Sequence, residues 1–162
     1  MALDYQFRSL TPTDLPMVQR WLEMPHVIEW WGDPVVQFEL VSGDLKESAM
    51  NQFVVSNSEK PFGYLQYMDL RDWMDEAFLP QPEGTLSIDQ FIGEPDMIGK
   101  GHGSAFIRAL VSDLLAGGAP RVITDPDPSN LRAIRAYENA GFRKERVVAA
   151  IDGASLLMVC NA

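Results

Sequence analysis

The chain has 162 residues, 46% of them hydrophobic and 22% charged, which suits one folded domain over residues 1–162 and excludes a disordered or collagen-like chain. Its 23 acidic and 13 basic side chains give a net charge of −10, which argues against nucleic-acid binding and favours cationic small molecules as partners. One cysteine, Cys160, and two separated histidines, His26 and His102, exclude an intrachain disulfide and leave no metal-ligand spacing.

Tyr5 to Leu10 alternates as a short strand, and Thr11-Pro12-Thr13-Asp14 supplies capping chemistry for a helix carrying Leu15, Val18, Trp21 and Leu22. Pro25 to Glu47 reads as broken helix and loop, interrupted at Gly32-Asp33-Pro34 and again at Ser42-Gly43-Asp44. A hairpin is expected from Asn51–Asn57 and Gly63–Leu70, turning at Ser56 to Pro61. Asp72 to Gly84 is an acidic, proline-containing loop. Thr85 to Ile92 returns to strand, with Leu86 and Ile88 on one face and Ser87, Asp89 and Phe91 on the other.

A glycine cluster then precedes a helix marked by Ala105, Phe106, Ala109, Leu110, Leu114 and Leu115 and stopped at Gly117-Gly118. Arg121 to Thr124 is a strand, Ser129 to Ala140 a helix ended by Gly141, and Phe142 to Cys160 two strands around Asp152-Gly153. The charge is uneven. Between Asp69 and Asp96 eight acidic residues meet one base, Arg71, whereas Met97 to Arg146 is net basic.

Gly99-Lys100-Gly101-His102-Gly103-Ser104, set directly before a helix, lets the backbone pass close to an anion at the helix N-terminus. It matches neither the G-x-x-x-x-G-K-[ST] nor the G-x-G-x-x-G pattern, and by itself such a stretch is as compatible with a flexible turn. The second cluster runs from Thr124-Asp125-Pro126 through Asn130 to Tyr137-Glu138-Asn139-Ala140-Gly141-Phe142. Asn130 and Tyr137, seven apart, fall on nearly the same helix face.

In combination these motifs resemble the GCN5-related N-acetyltransferase (GNAT) family. His26 to Gly32, Ile88-Asp89-Gln90-Phe91, the glycine loop and Thr124 to Arg135 are similar to its aminoglycoside 6′-N-acetyltransferase branch. The general family has Arg or Gln where Ile98 stands, and an aliphatic residue there is similar to that branch.

The resemblance implies an α+β fold with a central mixed, mostly antiparallel sheet of six or seven strands and about four flanking helices. It implies direct acetyl transfer from acetyl-CoA to an amine, without an acyl-enzyme. Asp89 is the candidate base and Tyr137 the candidate acid for the leaving thiolate. Phe91, Ile92, Ile98, Gly99, Lys100, Gly101, His102, Gly103, Ser104, Asn130, Ala133 and Tyr137 are the candidate cofactor contacts. Trp31, Asp72, Trp73, Asp89 and Asp125 are the candidates for binding a cationic amine, for which an aminoglycoside fits best.

A siderophore, metabolite or protein amine, or a non-catalytic acetyl-CoA-binding module, remains open at this level. Each candidate also has a purely structural reading: Asp89 as an ion-pair partner, Tyr137 and the tryptophans as packing, Asp125 as turn chemistry. The absence of a long apolar run and of a leader-like start leads us to expect a cytoplasmic protein, monomeric or homodimeric, without a membrane or nucleic-acid partner.

Overall fold

The computed structural model describes residues 4–72, 76–150 and 153–162. In chain order the elements are β1 (Tyr5–Ser9), α1 (Leu15–Leu22), α2 (Pro25–Trp31), α3 (Pro34–Asp44), β2 (Asn51–Asn57), β3 (Lys60–Asp69), β4 (Leu86–Ile92), α4 (His102–Ala116), β5 (Arg121–Thr124), α5 (Leu131–Asn139), β6 (Arg143–Ala150) and β7 (Gly153–Asn161), with short 3₁₀ turns between some of them. The seven strands form one mixed sheet in the order β1-β2-β3-β4-β5-β7-β6. The expected α+β class and strand number hold, with five α-helices among the described residues instead of about four.

The chain divides into two compact units, Met1–Tyr67 with Asp89–Lys100 and Met68–Ile88 with Gly101–Ala162. In the first, β1 pairs antiparallel with β2 and β2 with β3. One face of this sheet is apolar and supports a core of Leu10, Val18, Trp21, Leu22, Val27, Val41, Val54, Tyr64 and Phe91.

Entry to α1 is fixed by a reciprocal arrangement at Thr11 and Asp14. The Asp14 carboxylate accepts from the Thr11 N–H (2.9 Å) and from both Arg8 guanidinium nitrogens (2.8 Å each). The Arg8 hydrogen bonds, ahead of the Thr11 bonds, hold its carboxyl below the usual range.

Two sequence expectations change in this unit. Pro25 to Glu47 is two defined helices. Gly32 ends α2 with φ +87°, Asp33 caps α3 by accepting from the Val35 and Val36 N–H groups, and Pro34 opens it. Ser42-Gly43-Asp44 does not break α3, because one glycine near a helix end costs only about 1 kcal/mol. The hairpin turn is also tighter than expected. Ser58 and Glu59 both take positive φ, so β3 begins at Lys60, opposite Asn57.

In the second unit β4 runs parallel to β5 through Leu86↔Val122 and Ser87↔Ile123, with α4 as the crossover. The buried Thr124 hydroxyl donates to the Ile88 C=O at 3.2 Å. β5 and β6 flank β7, antiparallel to it. Leu70, Phe78, Ile123, Val148, Leu157 and Val159 form a core in this unit.

Candidate active site

Strand alternation places Asp89 and Phe91 on the same face of β4, as the sequence indicates. Phe91 is buried. Its ring stacks on Tyr64 of β3 (centroids 5.4 Å) and receives the edges of Trp31 (5.0 Å) and Trp21 (6.3 Å). Trp31 is half-buried in this aromatic group and also meets Tyr64 edge-on, whereas its neighbour Trp30 is exposed.

Asp89 keeps partial access to solvent, yet its carboxyl is densely surrounded by protein. Loss of hydration pushes it up to about 6, against the lowering influence of one hydrogen bond donated by Gln66 Nε2 to Oδ2 at 3.3 Å. Among the described residues Asp89 forms no ion pair, so the reading of this residue as a simple salt-bridge partner fails. A carboxyl near 6 that lacks a cation is a base for proton exchange with an amine close to neutral pH.

The end of β4 is held from several directions. The Gly93 N–H donates to the Phe62 C=O (2.7 Å), His26 Nε2 donates to the Ile92 C=O (2.8 Å), and the Trp21 indole N–H and the Arg20 guanidinium both donate to Glu94 Oε1 (2.7 Å). Trp21, then Arg20, holds the Glu94 carboxyl below its usual range. Gly93 admits no side chain, because a Cβ there would lie 2.1 Å from the Trp21 ring. Gln66, His26 and Glu94 thus tie β4 and the turn after it to neighbouring elements, although the sequence reading gave them no role. Their signal lies in cross-strand and long-range pairing.

Pro95–Met97 forms a 3₁₀ turn closed by half-buried Ile98, and the glycine loop follows. Gly99 and Gly101 take φ +74° and +81°, a conformation that favours glycine, and a Cβ at either would meet nothing within 4 Å. Lys100 is exposed; His102, Gly103 and Ser104 are half-buried in the first turn of α4. Helix α4 starts at Gly101 with no side chain capping it, and the Ser104 hydroxyl donates back to the Gly101 C=O (3.3 Å). A bare helix start preceded by two left-handed glycines fits the diphosphate of acetyl-CoA, which would approach the N–H groups of this turn.

In the second unit Asn130 caps α5, its Oδ1 accepting from the Ala133 N–H at 3.2 Å. Tyr137, two turns on, is buried with its ring edge-on to Phe142 at 5.4 Å. Asp125 is half-buried just beyond β5, and Asp72 is exposed at the end of a 3₁₀ turn. Trp73 lies outside the described residues.

Several charges of the acidic segment are locally neutralised. Arg71 pairs with Asp69 (3.1 Å) in one unit, and Arg20 and Lys60 pair with Glu94 (2.7 Å) and Asp96 (3.2 Å) in the other. Among the described residues no group of histidine, cysteine, aspartate and glutamate is arranged to hold a metal ion, and no helix is long and apolar enough to cross a membrane.

Residues 11–150 match the model of the acetyltransferase (GNAT) domain. The chain belongs to the GNAT acetyltransferase family. An aminoglycoside N(6′)-acetyltransferase type 1 of Klebsiella pneumoniae is 35% identical over 94% of this chain and 80% of its own length. Among solved structures, AAC(6′)-Ib holding acetyl-CoA superposes with a TM-score of 0.87 at 32% identity, covering 98% of this chain and 93% of that one. AAC(6′)-Ib with coenzyme A and kanamycin gives 0.86 at the same identity, covering 98% and 95%.

The region matched to the GNAT domain contains both Gly99–Ser104 and the capped helix α5.

Proposed function

We propose that this acetyltransferase moves the acetyl group of acetyl-CoA directly to a primary amine of a cationic small molecule, and that the amine is the 6′-amine of a kanamycin-type aminoglycoside. The observation that carries the chemistry is the environment of Asp89: a carboxyl raised to about 6, bonded to a neutral amide instead of a cation. The substrate rests on the aminoglycoside N(6′)-acetyltransferase relative and on the kanamycin bound by the structural neighbour.

Bound acetyl-CoA supplies the acetyl thioester. Gly99 to Ser104 bind its diphosphate through backbone N–H groups, with Ile98, Asn130 and Ala133 as further contacts. The amine arrives as an ammonium and must lose a proton before its lone pair is available. Asp89 takes that proton, directly or through one water. The N–H groups of Phe91 and Ile92 are assigned to the acyl oxygen, where negative charge develops. The Tyr137 hydroxyl protonates the departing thiolate, and the second proton that the nitrogen loses as the amide forms restores the phenol. Trp31, Asp72 and Asp125 contact the amine-bearing substrate, the carboxylates by charge-assisted hydrogen bonds to its other ammonium groups.

A thiol-release assay with acetyl-CoA and a panel of aminoglycosides, lysine derivatives, hydroxylamines and peptides tests this reading. Turnover of aminoglycosides at least about tenfold more efficient in kcat/KM than of the other amines is expected. Turnover of peptides without aminoglycosides contradicts it.

A further inference from the structure

A file of polar side chains crosses β2, β3 and β4 inside the apolar layer of the first unit and ends on Asp89. Gln52 and Tyr64 are buried, and Gln52 lies directly opposite Gln66 in the β2–β3 register. Gln52 Nε2 donates to the Val41 C=O (3.0 Å) and to Tyr64 Oη (3.0 Å). The Tyr64 O–H donates to Gln66 Oε1 at 2.6 Å, and Gln66 Nε2 donates to Asp89 Oδ2 at 3.3 Å.

The direction of this file is set at its far end. A backbone carbonyl can only accept, so the Val41 C=O obliges Gln52 to present its nitrogen, whose two hydrogens serve Val41 and Tyr64. Tyr64 has one hydrogen, which therefore goes to Gln66 Oε1. With its oxygen occupied, Gln66 turns its NH₂ toward Asp89. Reversing Gln66 would set its carbonyl oxygen against the Asp89 carboxylate and leave the Tyr64 O–H without an acceptor among these groups.

From Gln52 to Asp89 the three bonds thus point the same way, and successive bonds polarise one another. The file ends in an amide, which offers a hydrogen bond and no transferable proton.

We propose that Gln66, oriented by Tyr64 and Gln52 from the Val41 carbonyl, is the positioning residue for Asp89: its N–H holds Oδ2 and leaves Oδ1 to take the amine proton. This rests on Asp89 being the base. The donated bond also favours the ionised form and partly offsets the desolvation of the carboxyl. The titratable groups on packed elements are Tyr64 on β3, whose phenol burial drives upward, Asp44 at the end of α3, which acts on Tyr64, and His26 of α2, engaged by Ile92.

The test is the pH dependence of kcat/KM for kanamycin at saturating acetyl-CoA in the wild type, Gln66→Leu, Tyr64→Phe and Asp89→Asn. Tyr64→Phe removes one oxygen and keeps the ring that stacks on Phe91, so it guards against loss of fold in Gln66→Leu. The acidic limb should move to higher pH by about one unit in Gln66→Leu, and by a smaller step in the same direction in Tyr64→Phe, with KM for acetyl-CoA unchanged. Asp89→Asn should abolish that limb and most of kcat. If Asp89→Asn is inactive while both other variants keep the wild-type limb, the role of Gln66 is refuted and Asp89 stands as the base. If Asp89→Asn retains wild-type kcat and limb, both assignments fall.

Discussion

Phe142 closes the C-terminus of α5 directly on Tyr137: its N–H donates to the Tyr137 C=O at 3.0 Å, and the two rings meet edge-on at 5.4 Å. With the Gly141 N–H on the Glu138 C=O (3.1 Å) and Gly141 at φ +110°, this is a Schellman closure. Tyr-Glu-Asn-Ala-Gly-Phe is therefore a capping device that holds the phenol in place.

Phe142→Ala should destabilise the fold by about 3–5 kcal/mol in urea unfolding, and Phe142→Leu by less. Gly141→Ala should cost at least about 1 kcal/mol through its backbone conformation. Tyr137→Phe, which keeps the ring contact, should cost no more than about 1–2 kcal/mol in unfolding while kcat falls about 10²-fold or more. Wild-type turnover in Tyr137→Phe would remove it as the acid.

Asp89 should reduce stability at neutral pH. Its folded pKa lies near 6, above the ordinary value of 3.8, so between these pH values the folded protein holds a proton the unfolded chain has released. Stability should therefore decline as pH rises from about 4 to about 6. Asp89→Asn should raise stability at pH 7 by up to about 3 kcal/mol, and thermal unfolding of both proteins at pH 4 and pH 7 checks this. Asp14 works in the opposite sense. Arg8 lowers its pKa, so its contribution is present above the ordinary carboxylate range and lost as pH falls through the lowered value, and Asp14→Asn should flatten that acid limb.

Gly93→Ala should be disproportionately damaging for one methyl group. The new Cβ would fall within 2.5 Å of several atoms of the fully buried Trp21 ring, whose N–H is tied to Glu94. An overpacking cost of about 1–3 kcal/mol or more is expected, with loss of turnover as the end of β4 shifts. An unchanged urea midpoint would show that Trp21 yields easily.

Neutralising Asp72 or Asp125 should raise KM for the aminoglycoside, more at low than at high ionic strength, and leave KM for acetyl-CoA within about twofold. Equal effects on both substrates, measured by initial rates at two salt concentrations, would remove these carboxylates from the amine side.

Much of the fold was legible because the β4 alternation, the α4 periodicity and the glycine that ends α5 are local signals. The boundary between α2 and α3 was visible at Gly32-Asp33-Pro34, while Gly43 misled because glycine weakens a helix without obliging it to stop. The short turn at Ser58-Glu59 was hidden, since neither residue ordinarily favours positive φ. Asp89 and Tyr137 could be singled out through a family resemblance. Gln52, Tyr64 and Gln66 could not, because their connection depends on strand register: Gln52 opposite Gln66, Tyr64 two residues before it, and Asp89 on the next strand. Counting net charge likewise missed that Asp69, Glu94 and Asp96 already have cationic partners.

The decisive measurement is to incubate the wild-type enzyme with acetyl-CoA and kanamycin and locate the acetyl group in the product by NMR. A single acetyl group on the 6′ nitrogen, with one thiol released per product and only a small residual rate with Asp89→Asn, is the predicted result. Acetylation at another nitrogen, or thiol release unaffected by Asp89→Asn, would contradict the proposed transfer.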